Sequence, residues 1–112
     1  MLIEEKAMPP NNAKDRLTHV LRSLRGERGR LRERGIHHLS VFGSTAREEA
    51  GADSDVDLIV DLEPAGNMDI FDLASIAAEL ETVLGTRVDL VRRGAMKPHV
   101  AQAAAREEIR VF

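Results

Sequence analysis

The chain contains no cysteine, tryptophan or tyrosine, and it has three phenylalanines among 112 residues. Without cysteine it can form neither disulfides nor thiolate metal sites, and it has no thiol nucleophile. Its apolar runs are far shorter than the roughly 20 residues that span a membrane. The acidic start MLIEEKAMPP also lacks the basic region and apolar stretch of a signal peptide. We therefore expect a cytoplasmic protein with an aliphatic core and no membrane segment.

The composition that remains is typical of one soluble globular domain. Hydrophobic residues make up 43% of the chain, charged residues make up 31%, and the formal net charge is −3. Because the overall balance is acidic, direct binding to nucleic acid is not expected. Residues 1–10 end in two prolines and are expected to form a flexible leader, so that residues 11–112 make up the single domain.

Hydrophobic periodicity predicts helices and strands in mixed order. Asn11 or Asn12 is expected to cap a first helix whose apolar positions include Leu17, Val20 and Leu24. The further elements predicted are strands over 36–42, 55–62 and 87–91, helices over 69–84 and 98–106, and an edge strand over 109–112. This order indicates an α/β (α+β) fold in which helices flank a small mixed β-sheet.

A strongly basic segment stands out in this acidic chain. Between Arg22 and Arg34 lie six arginines and two glutamates. Such a charge run is most often a solvated helix face. The alternative is a surface for an anionic ligand or an acidic partner, and the sequence leaves both interpretations open.

The turn after the first strand is a candidate phosphate site. Gly43 and Ser44 follow the strand directly and lead into a short helical turn that begins near Thr45. Glycine lets backbone N–H groups approach a phosphate closely, and the serine hydroxyl adds a donor. Arg47, one turn further on, can reach a phosphate or pair with a neighbouring glutamate. Taken alone, a Gly-Ser turn is a weak signal.

Three aspartates form a stronger signal. Asp55 and Asp57 are two residues apart on a predicted strand, so their side chains share a face with Cα atoms about 6.5 Å apart. No lysine or arginine separates them, and two such carboxylates repel each other unless a cation lies between them. If the strand of Asp89 pairs beside this one, all three carboxylates converge. Such a set can hold two Mg²⁺ ions, about 3.5–4 Å apart, around a phosphoryl group.

Together these residues resemble a known signature. Gly43-Ser44, ten intervening residues, Asp55-x-Asp57 and a later Asp89 are similar to the motif of the DNA polymerase β-like nucleotidyltransferase superfamily. The wording GSTAR…DSDVDLIVDL resembles its small prokaryotic branch, the minimal nucleotidyltransferases (MNT). The resemblance runs from about Leu39 to Phe112 and implies the polymerase β-like nucleotidyltransferase fold.

The resemblance also implies roles for these residues. In the family, the Gly-Ser turn holds the nucleoside triphosphate, which would place ATP on Gly43 and Ser44. The paired aspartates bind Mg²⁺, as Asp55 and Asp57 would here. The third, Asp89 in this chain, completes the metal site and can assist deprotonation of the acceptor hydroxyl. These three aspartates are the expected catalytic residues.

The resemblance names a partner as well. A domain of this size has little chain left for an acceptor pocket, so it needs a second copy or another protein. In the MNT branch that other protein is a HEPN-domain ribonuclease toxin, and the MNT protein is its antitoxin, transferring AMP to a toxin tyrosine. Because this chain has no tyrosine, such an acceptor must lie on another protein.

Three alternatives stay open. The chain could modify a small molecule such as an aminoglycoside, with a homo-oligomer (a dimer) or an extra subunit completing the pocket. It could silence its partner by binding alone, with catalysis secondary. The least favoured alternative is a nucleic-acid-binding subunit that uses the arginines of residues 22–34. Loss of function in Asp57→Asn would favour the enzymatic interpretations, whereas steep salt dependence of RNA binding would favour the last.

Overall fold

The computed structural model describes residues 12–51, 54–64 and 66–112. The predicted leader, residues 1–10, lies outside the described residues, as do Asn11 and Asp53. Helix α1 spans Ala13–Arg25 and α2 spans Arg28–Glu33. Strand β1 (Ile36–Phe42) leads into the short helical turn α3 (Gly43–Ala46). There follow β2 (Val56–Leu62), α4 (Ile70–Leu84), β3 (Val88–Arg92), a 3₁₀ turn (Arg93–Ala95), α5 (Pro98–Glu107) and β4 (Ile109–Arg110).

The helix ends follow local sequence signals. Asn12 caps α1 by accepting a hydrogen bond from the backbone N–H of Asp15. Asp69 and Asp72 form a reciprocal capping box at the start of α4. Gly85 ends that helix in the left-handed conformation, with φ at 71°. These features confirm the predicted boundaries of α4, and Asn12 is the capping residue at the start of α1.

The four strands form one mixed sheet in the order β3-β2-β1-β4. Strand β1 is antiparallel to β2 and to β4, whereas β2 and β3 are parallel. The predicted mixed sheet flanked by helices is therefore confirmed. Strand β3 begins and ends one residue later than the predicted strand over 87–91.

The main core lies between one face of the sheet and helices α1, α2 and α4. Alternate residues of β2 contribute Val56, Leu58 and Val60, all fully buried. Helix α4 contributes Ile76, Leu80 and Leu84 at spacings of four. The opposite face of β2 carries Asp57 and Asp61 beside the buried Ile59. The period of two thus separates an apolar face from an acidic one.

One apolar residue of α4 lies outside the core. Ile70 shares the helical spacing of Leu73 and Ala77, yet 74% of its surface is exposed. Ile70 is the first residue of the helix, and the sheet covers only the later turns. No helix in the described part of the chain is long and apolar enough to cross a membrane.

The arginine-rich segment falls on α1, α2 and the residues beside them. Five of its six arginines are exposed, and Arg34 is half-buried. Arg30 and Arg34 form ion pairs with Glu79 of α4, at 3.5 and 2.6 Å. The guanidinium of Arg32 lies 5.4 Å from the centre of the Phe112 ring. Part of the segment therefore serves to hold α2 against its neighbours.

Candidate active site

The topology brings the predicted motif residues to one end of the sheet. Strand β1 ends where β2 begins because the two are antiparallel, and Phe42 pairs with Asp57. Strands β2 and β3 are parallel, so their first residues also lie side by side, and Asp57 pairs with Asp89. Paired positions on neighbouring strands are about 5 Å apart. The Gly43 turn and two of the carboxylates therefore adjoin one another.

Gly43 lies directly against Asp57. A Cβ added to this glycine would lie 2.7 Å from Oδ2 of Asp57, which is closer than non-bonded atoms tolerate. The φ of Gly43 is +70°, a conformation that side chains with a Cβ disfavour. The turn therefore favours glycine at this position, and a side chain there would displace the Asp57 carboxylate.

The carboxylate of Asp57 is the electrostatic centre of the site. Desolvation by burial is the largest cause that raises its pKa above the ordinary value. Repulsion from the carboxylates of Asp89 and then Asp55 raises the pKa further, whereas the Arg47 guanidinium lowers it. Asp57 therefore lies within electrostatic range of the other three side chains. Asp55 and Asp89 themselves are exposed.

These carboxylates fit a divalent cation that keeps other ligands. Within the described ranges, no group of three His, Asp or Glu side chains is arranged to hold a metal ion by itself. Mg²⁺ is usually bound through one or two carboxylates together with water and substrate phosphates. The register partners Asp57 and Asp89, with Asp55 close by, supply such a partial set of hard oxygen donors. Because Gly43 has no side chain, the space beside the Asp57 carboxylate is not filled from the turn.

A fourth acid on the same face belongs to another cluster. Arg93 donates to both carboxylate oxygens of Asp61, at 2.7 and 3.2 Å. The same guanidinium donates to both oxygens of Glu108, at 2.8 and 2.7 Å. Asp61 is therefore neutralised within an ion-pair network that joins β2 to the residue before β4, and it is not part of the candidate site.

Ser44 and Arg47 occupy the predicted turn with different surroundings. Ser44 is half-buried, and its backbone carbonyl accepts a hydrogen bond from Glu49 N–H at 2.9 Å. Arg47 is exposed and pairs with Glu49 and with Glu107 of α5, both at 2.9 Å. Hydrogen bonds to these two carboxylates raise the pKa of Arg47. A phosphate would have to compete with both for this guanidinium.

Sequence reasoning missed one residue that positions the site. Arg16 of α1 is buried and donates to the backbone carbonyl of Ser54, directly before Asp55. The Thr86 hydroxyl donates to the same carbonyl at 3.4 Å. A signal existed, because Arg16 precedes the buried Val20 by four residues and therefore shares its helix face. Arg16 and Thr86 anchor the start of the acidic strand.

Comparison with known proteins places this geometry in context. The profile of the nucleotidyltransferase domain family matches residues 21–111. The chain is 43% identical over 82 residues to the protein adenylyltransferase MntA of Thermococcus cleftensis, covering 72% of this chain and 81% of that protein. The match includes most of both chains.

Solved structures share the fold. A protein provisionally described as a minimal nucleotidyltransferase is 36% identical, with a TM-score of 0.65 over 80% of this chain and 93% of its own. One chain aligns with a TM-score of 0.58 in the structure of a tri-AMPylated HEPN toxin of Shewanella oneidensis in complex with MNT antitoxin. That alignment covers 89% of this chain and 71% of the other at 18% identity, which supports a common fold only.

Proposed function

Because the chain belongs to the nucleotidyltransferase domain family, we propose that it transfers AMP from ATP to a hydroxyl of a partner HEPN toxin and thereby acts as an antitoxin. The observation that carries this proposal is the contact geometry of Gly43, Asp57 and Asp89. A glycine turn, which lets backbone N–H groups approach phosphates, lies against Asp57 of β2, whose register partner on the parallel strand β3 is Asp89. The names of the Thermococcus relative and of the Shewanella complex support AMP as the group and a HEPN protein as the acceptor.

The reaction divides among the residues of the site. The Gly43–Ser44 turn binds the triphosphate, and the Ser44 hydroxyl can donate to a phosphate oxygen. The acceptor oxygen bonds to the α-phosphorus while the bond from that phosphorus to the bridging oxygen of the β-phosphate breaks, and pyrophosphate leaves with the bonding electrons. Asp89, exposed beside Asp57, takes the acceptor proton or passes it to water.

We propose that Asp55, Asp57 and Asp89 hold Mg²⁺, as one or two ions. Bound there, the metal would neutralise triphosphate charge and polarise the α-phosphate. The chain's own contribution is the burial of Asp57 and the repulsion from Asp89 and Asp55, which together raise the pKa of Asp57. A cation would relieve the repulsion between these carboxylates. The strands hold the acids in position before the substrate arrives.

The acceptor lies outside this chain, and we propose that it is a tyrosine. The sequence contains no tyrosine, so self-modification at that residue type cannot occur. The site is open because Asp55 and Asp89 are both exposed. An acceptor carried by a folded partner can therefore approach the carboxylates without a rearrangement of the sheet.

Intact-mass spectrometry of the co-expressed partner tests this function. A HEPN toxin co-expressed with this chain is expected to gain one or more AMP masses with the wild type and none with the Asp57→Asn variant. Glu33→Gln, an exposed acid in α2, is the matched control and should modify the partner normally. A partner silenced equally by Asp57→Asn, without any mass gain, would establish inhibition by binding alone. Modification of an aminoglycoside with no change to any protein would establish a small-molecule enzyme instead.

A further inference from the structure

A groove runs along the outer edge of the sheet next to the candidate active site. Its volume is about 530 Å³, and it lies between the first half of α4 and strand β3. Most of the side chains that line it are apolar, among them Ile70, Leu73 and Ala74 from the helix and Leu90 from the strand. Asp89 lines the same groove. The groove therefore borders the strand that carries Asp89 of the acidic cluster.

Among the described residues, strand β3 is an edge strand, and its outer backbone groups face no further strand. It is the outermost strand, with β2 as its neighbour on one side. Since Val56 N–H donates to Arg87 C=O, the alternation of a parallel ladder turns the N–H and C=O groups of Val88, Leu90 and Arg92 away from β2. Glu81 of α4 accepts a hydrogen bond from Val88 N–H at 3.0 Å. The outward groups of Leu90 and Arg92 form a template for a further strand.

The helix beside this edge exposes large apolar side chains. In the first turn of α4, Ile70 is 74% exposed and Phe71 is 79% exposed. Across the described residues, the one other exposed large hydrophobic side chain is Val100, at 42%. Exposed apolar surface concentrated at one place, beside a concave groove, is typical of a docking site for another chain.

We propose that an extended segment of the acceptor protein pairs with the edge of β3 as a fifth strand. Successive side chains of such a strand point to opposite faces. Alternate residues would then enter the apolar groove against α4, and the residue between two of them would lie on the acidic face. Opposite Asp89, its Cβ would be about 5 Å from that of Asp89. This inference rests on the proposed function and predicts an acceptor hydroxyl residue flanked on both sides by apolar residues.

Charge favours such a segment over a second copy of this chain. The acidic face repels carboxylates, so the inserted strand must present a neutral or basic residue there. Of the two edge strands of a second copy, β3 would bring its own Asp89 to this position. The other, β4, is only two residues long, and the Val111 and Phe112 side chains that follow it are buried in their own core. A partner segment with a hydroxyl residue between apolar neighbours satisfies both faces at once.

Two short peptides separate this arrangement from non-specific binding. The test peptide is Lys-Gly-Val-Tyr-Val-Gly-Lys, in which the valines point away from the face that the tyrosine occupies. The control, Lys-Val-Gly-Tyr-Gly-Val-Lys, has the same composition with the valines on the tyrosine face. Nuclear magnetic resonance of the intact chain without nucleotide measures binding. The test peptide is expected to shift the amide signals of Leu90 and Arg92, and the control peptide to bind at least about tenfold more weakly.

Two arginine substitutions on α4 provide a matched pair. Ala74 is exposed and lines the groove, whereas Ala78 is exposed on the same helix outside the groove. Because arginine is a good helix former, both variants should fold. Ala74→Arg should weaken binding of the test peptide and raise KM for its adenylylation by about tenfold with little change in kcat. Ala78→Arg should behave as the wild type.

The outcomes separate the groove from the chemistry. Equal binding by both variants, equal binding of both peptides, or self-association that Ala74→Arg abolishes would each overturn the groove assignment. Binding as expected without AMP transfer to any acceptor would support the groove and overturn the proposed function. AMP transfer that Ala74→Arg leaves unaffected would retain the function and overturn the groove.

Discussion

Gly43 and Asp57 are in such close contact that a Cβ on the glycine would meet the carboxylate oxygen at 2.7 Å. The two residues lie on different elements, one in the turn after β1 and the other in β2. The antiparallel pairing of Phe42 with Asp57 brings them together. The Gly43 turn and the acidic strand are thus one structural unit, and a change to either should disturb both.

Gly43→Ala tests this unit. The added methyl meets Asp57, and the positive φ costs about 1–2 kcal/mol for a residue with a Cβ. We expect a loss of at least that stability in urea unfolding, together with a large fall in AMP transfer. Gly29→Ala is the matched control, because its Cβ would meet nothing within 4 Å and it lies within α2. That variant should be neutral or up to about 1 kcal/mol more stable. Equal effects of the two substitutions would contradict the assigned contact.

Asp57→Asn should stabilise the metal-free protein at neutral pH while abolishing activity. The pKa of Asp57 is raised in the folded state, so its contribution to stability is present at low pH and is lost as pH rises through the folded pKa. Because the asparagine amide does not ionise, the variant does not lose this stability as pH rises. Thermal unfolding with and without Mg²⁺ measures both effects.

Wild type should gain stability from added Mg²⁺ by mass action, and Asp57→Asn should gain much less. Glu33→Gln, which lies outside the cluster, should respond to Mg²⁺ as the wild type does. If Asp57→Asn melted below the wild type at neutral pH without metal, the assigned repulsion would be wrong.

Arg93 should be a stabilising residue independent of the reaction. Its side chain is 28% exposed and those of Asp61 and Glu108 are 26% and 15% exposed. Without the guanidinium, the two largely buried carboxylates lose their shared ion-pair partner. Arg93→Gln is therefore expected to lower the free energy of unfolding by about 1–3 kcal/mol. Arg92→Gln, at the exposed neighbouring position, should cost less than about 0.5 kcal/mol. Comparable losses in urea unfolding would contradict the network.

The same network predicts a dependence on acid. Hydrogen bonds from Arg93 are the largest cause that lowers the pKa of Glu108 below its ordinary value. A carboxyl with a depressed folded pKa contributes stability above its unfolded pKa and loses it as pH falls through the folded pKa. The wild type should therefore lose stability more steeply than Arg93→Gln as pH falls below the ordinary glutamate range. Equal losses of unfolding free energy in the wild type and in Arg93→Gln over that pH range would refute the ion-pair network.

Arg47 is expected to exchange partners when a nucleotide binds. In the structure its guanidinium pairs with Glu49 and Glu107, and a triphosphate must compete with them. Arg47→Gln should raise KM for ATP severalfold, whereas Glu107→Gln should lower it because one competitor is removed. Arg106→Gln, an exposed arginine of the same helix as Glu107, should leave KM unchanged. Steady-state kinetics at fixed ionic strength decides, and an unchanged KM in Arg47→Gln would exclude a phosphate role.

Much of the local structure was predictable because its causes are local. Strand β2 was predictable because its apolar and polar residues alternate with a period of two. The ends of α4 were predictable because Asp69 and Gly85 each act on backbone groups within one turn of the helix. The Gly-Ser turn and the aspartate pair were recognisable because their spacing along the chain matches a known motif. The absence of tyrosine also excluded self-modification at that residue type.

The tertiary structure decided which of these residues meet. Strand register is a long-range property, so the pairing of Asp57 with Asp89 followed only from the order β3-β2-β1-β4. The same order left β3 at the edge and Ile70 outside the core. The ion pairs of Arg47 with Glu107 and of Arg93 with Asp61 join residues far apart in sequence. Amino-acid patterns determine each element through neighbours three or four residues away, but the packing of the whole chain determines which charges and apolar faces come together.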